Sequence, residues 1–239
     1  MWLEALARSL HQSIYRYPHA LAYLRSRRVT EEEVKKYGVG FNKVVSVNGD
    51  GPDWERFIKE CDRGRKFENK IVFPIRDIMG QVVGLSGRSI DTKEFKVFVT
   101  DVAKAMGFMF GLPEALPHII LENRVFVVEG YFDFLALAKV LPNTVAALTS
   151  KLNDQQYDLL TLYCDNIVVV FDSDKAGYHG REKAGEREGV WTVDLGSGEK
   201  TSGESFKDPA KCLETLDSMD KYRKHVMNKI KSIPLSGGI

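Results

Sequence analysis

The stretch VFVVEGYFD, residues 125–133, and its counterpart IVVVFDSDKAG, residues 167–177, decide the fold of this chain. Each opens on a short run that is apolar throughout and then breaks directly into carboxylates. The first supplies Glu129 and Asp133, the second Asp172 and Asp174. A run of four or five apolar residues without alternation predicts a strand buried on both faces, the condition of strands inside a parallel sheet. Helix-like and strand-like segments alternate around the two runs. Phe132 to Val140 reads as a helix, Thr144 to Leu148 as a strand, Asn153 as the cap of a helix running towards Tyr163, and VWTVDL from 190 as a later strand. That order predicts crossover connections and a parallel sheet.

Ligands bind open parallel sheets at the carboxyl ends of the strands, so Glu129, Asp172 and Asp174 are expected together at one edge. Like charges gathered there repel unless a cation lies among them. Hard oxygen donors with no twelve-residue calcium loop suit Mg²⁺ or Mn²⁺ better than Ca²⁺, and the chemistry they serve is metal-assisted phosphoryl transfer. A plainer reading of one half stays open, in which Asp172 and Asp174 cap the helix that starts near Lys175.

Upstream, residues 1 to about 40 read as helices, with Leu3, Leu6, Leu10 and Ile14 on one face and Ala20 to Leu24 continuing after Pro18. Thr30 and Glu33 form a capping box, and Gly38 can close the helix they open. From 70 to 100 the pattern becomes strand-like. KIVFPIRD and QVVGLSGRSI flank a turn at Met79-Gly80, with Gly84 and Gly87 where backbone bends or is approached closely. Arg76 and Arg88 fall near the two ends of this hairpin and are expected to share a face. Two basic clusters, Arg25, Arg27, Arg28, Lys35 and Lys36, then Arg63, Arg65 and Lys66, read as solvated helix faces or as a surface for phosphates. Downstream, Met219 to Ile233 is a basic amphipathic stretch expected to pack on the core rather than meet a partner.

The whole chain has 239 residues, 44% hydrophobic and 28% charged, which excludes disorder, collagen and coiled coil as descriptions of all of it. With 34 Lys and Arg against 33 Asp and Glu, any claim about nucleic acid rests on local patterning. Three distant cysteines form neither a disulfide framework nor, with the scattered His11, His19, His118, His179 and His225, a zinc module, so no zinc is expected. Without a signal-peptide layout or a span of about 18 apolar residues, a cytoplasmic protein away from membranes is expected.

EGYFD and VVVFDSDKAG together resemble the Toprim domain, and their surroundings resemble the RNA polymerase core of DnaG-type primases. ALAYLRSRRVTEEEVKKYGVGF is similar to the helical opening of that core, and KIVFPIRDIMGQVVGLSGRSID to its basic hairpin region. FMFGLPEA is similar to the short linker before Toprim, and KDPAKCLE to the KDPDE segment after it. The likeness spans most of residues 20 to 215. It implies an α/β fold, α+β overall, with a Toprim-type parallel-sheet core (119–204) between an N-terminal helical and β-hairpin basic subdomain (1–118) and a C-terminal helical segment (205–239).

By the same resemblance Glu129 is a metal ligand and general acid/base, and Asp172 and Asp174 are the paired metal ligands. Asp133 and Asp208 stand beside the same ions, although Asp208 before Pro209 is equally suited to cap a helix. Arg76, Arg88 and Lys96 match basic positions that hold template and nucleotide. FKVFVTDV departs from the family's Asn-Ser-containing tract at Lys96, and Lys175 either meets triphosphate or simply opens a helix. The implied activity is primer synthesis from ribonucleoside triphosphates on single-stranded DNA, with two or more Mg²⁺ or Mn²⁺ ions. A Toprim nuclease and a non-catalytic accessory subunit are the alternatives. The family's zinc and helicase-binding modules have no counterpart in this sequence, so a separate helicase or zinc-module protein is the further partner expected.

Overall fold

The computed structural model describes residues 2–43, 52–61, 65–92, 94–196, 206–216, 218–231 and 233. The chain divides into two compact units, Met1–Ala105 and Met106–Ile239. The division expected at 118/119 falls inside a helix of the second unit, and the one at 204/205 lies outside the described residues.

The first unit runs α1 (Trp2–Ile14), α2 (Pro18–Ser26), α3 (Glu31–Lys36), β1 (Gly40–Asn42), α4 (Pro52–Cys61), β2 (Lys70–Arg76), β3 (Val82–Ser89), β4 (Phe95–Val99) and α5 (Asp101–Ala105). Its sheet is antiparallel in the order β1-β2-β3-β4. The stripe Leu3, Leu6, Leu10 and Ile14 on α1 is buried as its spacing requires. Leu3, Leu6 and Leu10 join Phe57, Phe67, Val72, Val82, Leu85 and Phe98 in one apolar cluster, each such side chain contributing about 1.5–3 kcal/mol. The capping box at α3 is closed in both directions, Glu33 N–H donating to Thr30 Oγ1 at 3.2 Å and Thr30 N–H to the Glu33 carboxylate at 2.8 Å. Both strand glycines mark close approaches. A Cβ on Gly84 would stand 2.6 Å from the Phe98 carbonyl oxygen, and one on Gly87 2.7 Å from the Phe67 ring.

The hairpin corrects one expectation. Arg88 lies opposite Ile71 on β2, and position 71 is an odd number of residues from Arg76. The register shifts beside Arg76, with Ile75 opposite Gly84 and Arg76 opposite Val82, so the extra residue lies on β3 and alternation along the unbroken β2 puts Arg76 and Arg88 on opposite faces of the sheet. Of the second basic cluster, Arg65 and Lys66 form a short 3₁₀ turn, whereas Arg63 lies outside the described residues.

The second unit runs α6 (Leu112–Glu122), β5 (Arg124–Val128), α7 (Tyr131–Leu137), β6 (Thr144–Ala146), α8 (Asp154–Thr161), β7 (Asn166–Val169), α9 (Lys175–Ala184), β8 (Val190–Thr192), α10 (Pro209–Thr215) and α11 (Met219–Ile230). Its four strands are parallel in the order β6-β5-β7-β8. The two apolar runs are the central pair, and Val125 to Val128 are at most 1% exposed. Asn153 caps α8 as expected, and Gln156 completes a capping box with it.

The segment read as a linker is structured. Phe110 exchanges two 2.9 Å backbone hydrogen bonds with Ala146, and α6 starts two residues later. Pro113 and Pro117 concealed that helix: the first sits in its opening turn, where proline costs little, and the second is carried because Leu112, Ala115 and Ile119 bury a common face. At the other end, Tyr222 and Val226 of α11 are fully buried, so this helix packs onto its own unit. No helix among the described residues is long and apolar enough to cross a membrane.

Candidate metal centre

The chain leaves β5 for β6 on one side, while β7 pairs on the other. The carboxyl ends of β5 and β7 therefore flank a topological switch point, where the sheet leaves a crevice. Glu129, the residue after β5, accepts the Asp172 N–H on Oε1 at 3.0 Å. Its carboxylate is thus held against the turn that follows β7.

That turn is fixed from below by Arg181, 7% exposed, whose guanidinium donates to the carbonyls of Phe171 (2.5 Å) and Asp172 (2.6 Å) and pairs with Asp194 at 3.3 Å. Ser173 donates its hydroxyl to Asp194 as well. Helix α9 presses against the same turn through Gly177, where a Cβ would meet the Asp172 carbonyl oxygen at 2.2 Å and Glu129 Oε1 at 2.7 Å.

Each acid has a local reason for its place. Asp174 caps α9, its Oδ1 accepting the Gly177 N–H at 3.1 Å, and Oδ2 remains for other partners. Capping and ligation are therefore compatible at this residue. The same holds at Asp208, which caps α10 by accepting the Lys211 N–H at 2.6 Å ahead of Pro209. Asp133, in the first turn of α7, accepts the Ala210 N–H at 3.2 Å and so ties α10 to α7. Asp133, Asp172 and Asp208 bring one oxygen each within 4.8 Å of the others. All three are among the five acids expected beside metal. Glu129 braces Asp172 from behind, and Asp174 faces Lys207, whose Nζ lies 2.8 Å from Asp172 Oδ2 and 3.0 Å from Asp174 Oδ2.

The crowding shows in the protonation equilibria. Burial, then the charges of Asp172 and Asp174, push Glu129 up to about 7. Asp172 is also raised, burial and its acidic neighbours outweighing the Lys207 ammonium. Asp174 is lowered by the Gly177 N–H and by Lys207, and Lys207 is raised by the two aspartates. Behind the cluster the fully buried Tyr222 hydroxyl has no hydrogen-bond partner, and desolvation with the nearby charges of Cys212, Asp133 and Asp208 raises it. Hard oxygen donors whose negative charge exceeds what the protein neutralises fit a hard divalent cation.

The remaining expected residues sit as follows. Lys175 opens α9, exposed, next to Asp174. Arg76, Arg88 and Lys96 lie in the first unit. Arg76 donates to the Gly80 carbonyl at 2.7 Å and pairs with Glu4 at 3.3 Å. Lys96 pairs with Glu94 at 3.2 Å, and the buried Nε of Arg88 has no partner. Sequence reasoning missed Lys207, Gly177 and Arg181. The first two carried a signal, being the lysine of the KDP element and the glycine of DSDKAG, whereas Arg181 reads as one more charge on a solvated helix.

A parallel sheet with a carboxylate cluster at its switch point defines the second unit as Toprim-type, a class built to hold divalent metal. The family described as Toprim-like matches residues 126–188, and the DNA primase catalytic core, N-terminal domain, matches residues 8–100. The DNA primase of Synechococcus elongatus is 32% identical over an alignment of 206 residues that covers 75% of this chain and 30% of that protein. The Escherichia coli DNA primase is 30% identical over an alignment of 176 residues that covers 66% of this chain and 30% of its own length. The chain thus spans under a third of these relatives.

Among solved structures, a DNA primase domain from Pseudomonas aeruginosa superposes with a TM-score of 0.75 at 26% identity, covering 95% of this chain and 77% of that one. The DnaG primase catalytic domain bound to single-stranded DNA superposes at 0.74 and 25%, with 95% and 77% coverage. The chain belongs to the DnaG-type primase family and corresponds to its catalytic core.

Proposed function

We propose that this chain is a primer-synthesising DNA-directed RNA polymerase, joining ribonucleotides on a single-stranded DNA template. The observation that carries the reading is the five-acid cluster at the β5/β7 switch point, set in a chain that matches both halves of the primase core. In the reaction a 3′-hydroxyl attacks the α-phosphate of the next nucleotide, its proton leaves to a base, and pyrophosphate departs. Bound Mg²⁺ or Mn²⁺, two ions or more, would supply charge neutralisation on the phosphates and activation of the hydroxyl.

The chain's own residues divide the remaining work. Asp133, Asp172 and Asp208 would hold a divalent ion, and Asp174, whose Oδ2 shares Lys207 with Asp172, would add to the same centre. Glu129, half-buried and held against the Asp172 N–H, is the acid/base proposed to take the hydroxyl proton. Arg76 and Arg88, on opposite faces of their hairpin, can hold phosphates only of separate stretches of template, and binding through either weakens as salt rises. Lys175, next to Asp174, is proposed to meet the triphosphate, and Lys96 is proposed as a nucleotide-contacting position of the first unit. The proposed partners are the single-stranded template and ribonucleoside triphosphates, in the cytoplasm. That the DnaG catalytic domain has been solved with single-stranded DNA supports the template assignment.

The test is primer synthesis on defined single-stranded templates with labelled ribonucleotides. Asp172→Asn is expected to lose activity by at least about a hundredfold, the scale of removing an electrostatic stabiliser. Undiminished primers from that variant would remove the mechanism. Cleavage of labelled DNA without nucleotides would replace it with a nuclease.

A further inference from the structure

Lys207 occupies the position a cation takes between two of the acids. Its Nζ is within 3.0 Å of Oδ2 of both Asp172 and Asp174. A divalent ion bound to those same oxygens sits about 2.1 Å from each, inside the volume the ammonium fills. The two cations exclude each other sterically and by charge.

The surroundings allow the exchange to be a side-chain movement only. Ser173 N–H donates to the Lys207 carbonyl at 2.7 Å, and Asp208 beside it is fixed as the cap of α10. The backbone is thereby anchored at Lys207 and at Asp208. The lysine stem is 55% exposed and opens to solvent. Among the described residues no other cation pairs with Asp172 or Asp174, because Arg181 is engaged with the backbone carbonyls and Asp194.

We infer that Lys207 is an exchangeable counter-cation of the centre. It closes the Asp172–Asp174 pair while the pair is free of metal, and a divalent ion binds there by displacing it. The inference rests on the reading of these acids as a metal centre and adds that the chain carries its own competitor for the ion. Ion affinity is then set below what the carboxylates alone would give, and the ammonium, once displaced, is released beside the bound ion.

The test is binding of Mn²⁺ alone, measured by calorimetry and by the loss of the free-ion electron paramagnetic resonance signal, on the full chain stripped of metal. Lys207→Gln is expected to bind Mn²⁺ about tenfold more tightly, the lower end for a half-exposed charge-assisted hydrogen bond. Lys207→Arg, which keeps the charge, is expected to stay near wild type. The metal-free Gln variant should melt below wild type, and the gap should close at saturating Mn²⁺. If Lys207→Gln does not fold without metal, Lys207→Met, with an apolar stem of similar length, carries the same comparison. Unchanged or weaker Mn²⁺ binding by the neutral variants, with wild-type binding intact, overturns the inference. Equal binding by wild type and Asp172→Asn, or none by either, overturns the metal centre and this inference with it.

Discussion

Replacing Gly177 by alanine sets two effects of opposite sign against each other, and the structure says which prevails. Gly177 is a helical residue in the first turn of α9, so alanine there gains about 1 kcal/mol of helix propensity. The new methyl would stand 2.2 Å from the Asp172 carbonyl oxygen and 2.7 Å from Glu129 Oε1, where ordinary contact begins near 3.4 Å. Relief requires α9 and the Asp172 turn to part by about 1 Å, and overpacking of that kind costs about 1–3 kcal/mol. The blocking atom is backbone, and Arg181 pins it, so the upper end applies. Net destabilisation of about 2 kcal/mol is expected, and Mn²⁺ binding should weaken at least tenfold as Glu129 and Asp172 separate. Urea unfolding in EDTA and Mn²⁺ calorimetry read the two effects. Gly185→Ala is the internal control, because its Cβ would find nothing closer than 3.4 Å and should be neutral or gain up to about 1 kcal/mol. A Gly177→Ala protein as stable as that control, with unaltered ion binding, would refute the reasoning.

Glu129→Gln should stabilise the metal-free protein while weakening its ion binding. Glu129 sits at about 7 when folded against 4.5 when unfolded, so ionisation favours the unfolded chain. The cost is absent below about pH 4.5 and complete above about pH 7. Urea titrations in EDTA should show a gain of about 1–2 kcal/mol at pH 8, after discounting for partial exposure, and none at pH 4. Arg181→Met leaves the Phe171 and Asp172 carbonyls and Asp194 without their donor and should cost about 3 kcal/mol. Arg181→Lys should recover little, because one ammonium cannot replace a planar fork serving three acceptors, and full recovery would show that charge alone matters. Tyr222→Phe removes a buried hydroxyl that has no partner, so thermal unfolding should be unchanged or improved by up to about 1 kcal/mol. A loss larger than that would mean the hydroxyl is hydrogen-bonded in solution.

The local signals were legible because local physics produces them. Thr30 with Glu33, Asn153 before α8 and Asp208 before Pro209 cap helices through hydrogen bonds that close within three residues, so neighbouring residue types suffice. The runs at 125–128 and 167–171 announced a buried parallel sheet because only strands covered on both faces can be apolar at every position. Helix α6 was hidden for the converse reason. Its two prolines speak against a helix locally, and the buried face that overrides them becomes visible only when the sheet beneath is assembled.

For the site, residue order alone placed carboxylates directly after the ends of the two apolar strands, and the pairing of β7 with β5 gathered them at one edge. Only the tertiary structure decided how they are shared. It joined Asp133 and Asp208 to Asp172, turned one oxygen of Asp174 to a cap and the other to Lys207, and buried Glu129 against the Asp172 N–H. It also set Arg76 and Arg88 on opposite faces of their hairpin. These outcomes depend on angles and separations of about an ångström between segments tens of residues apart in the chain. Pattern along a sequence encodes which face is apolar and where a helix begins, whereas the distance between two charges is a property of packing.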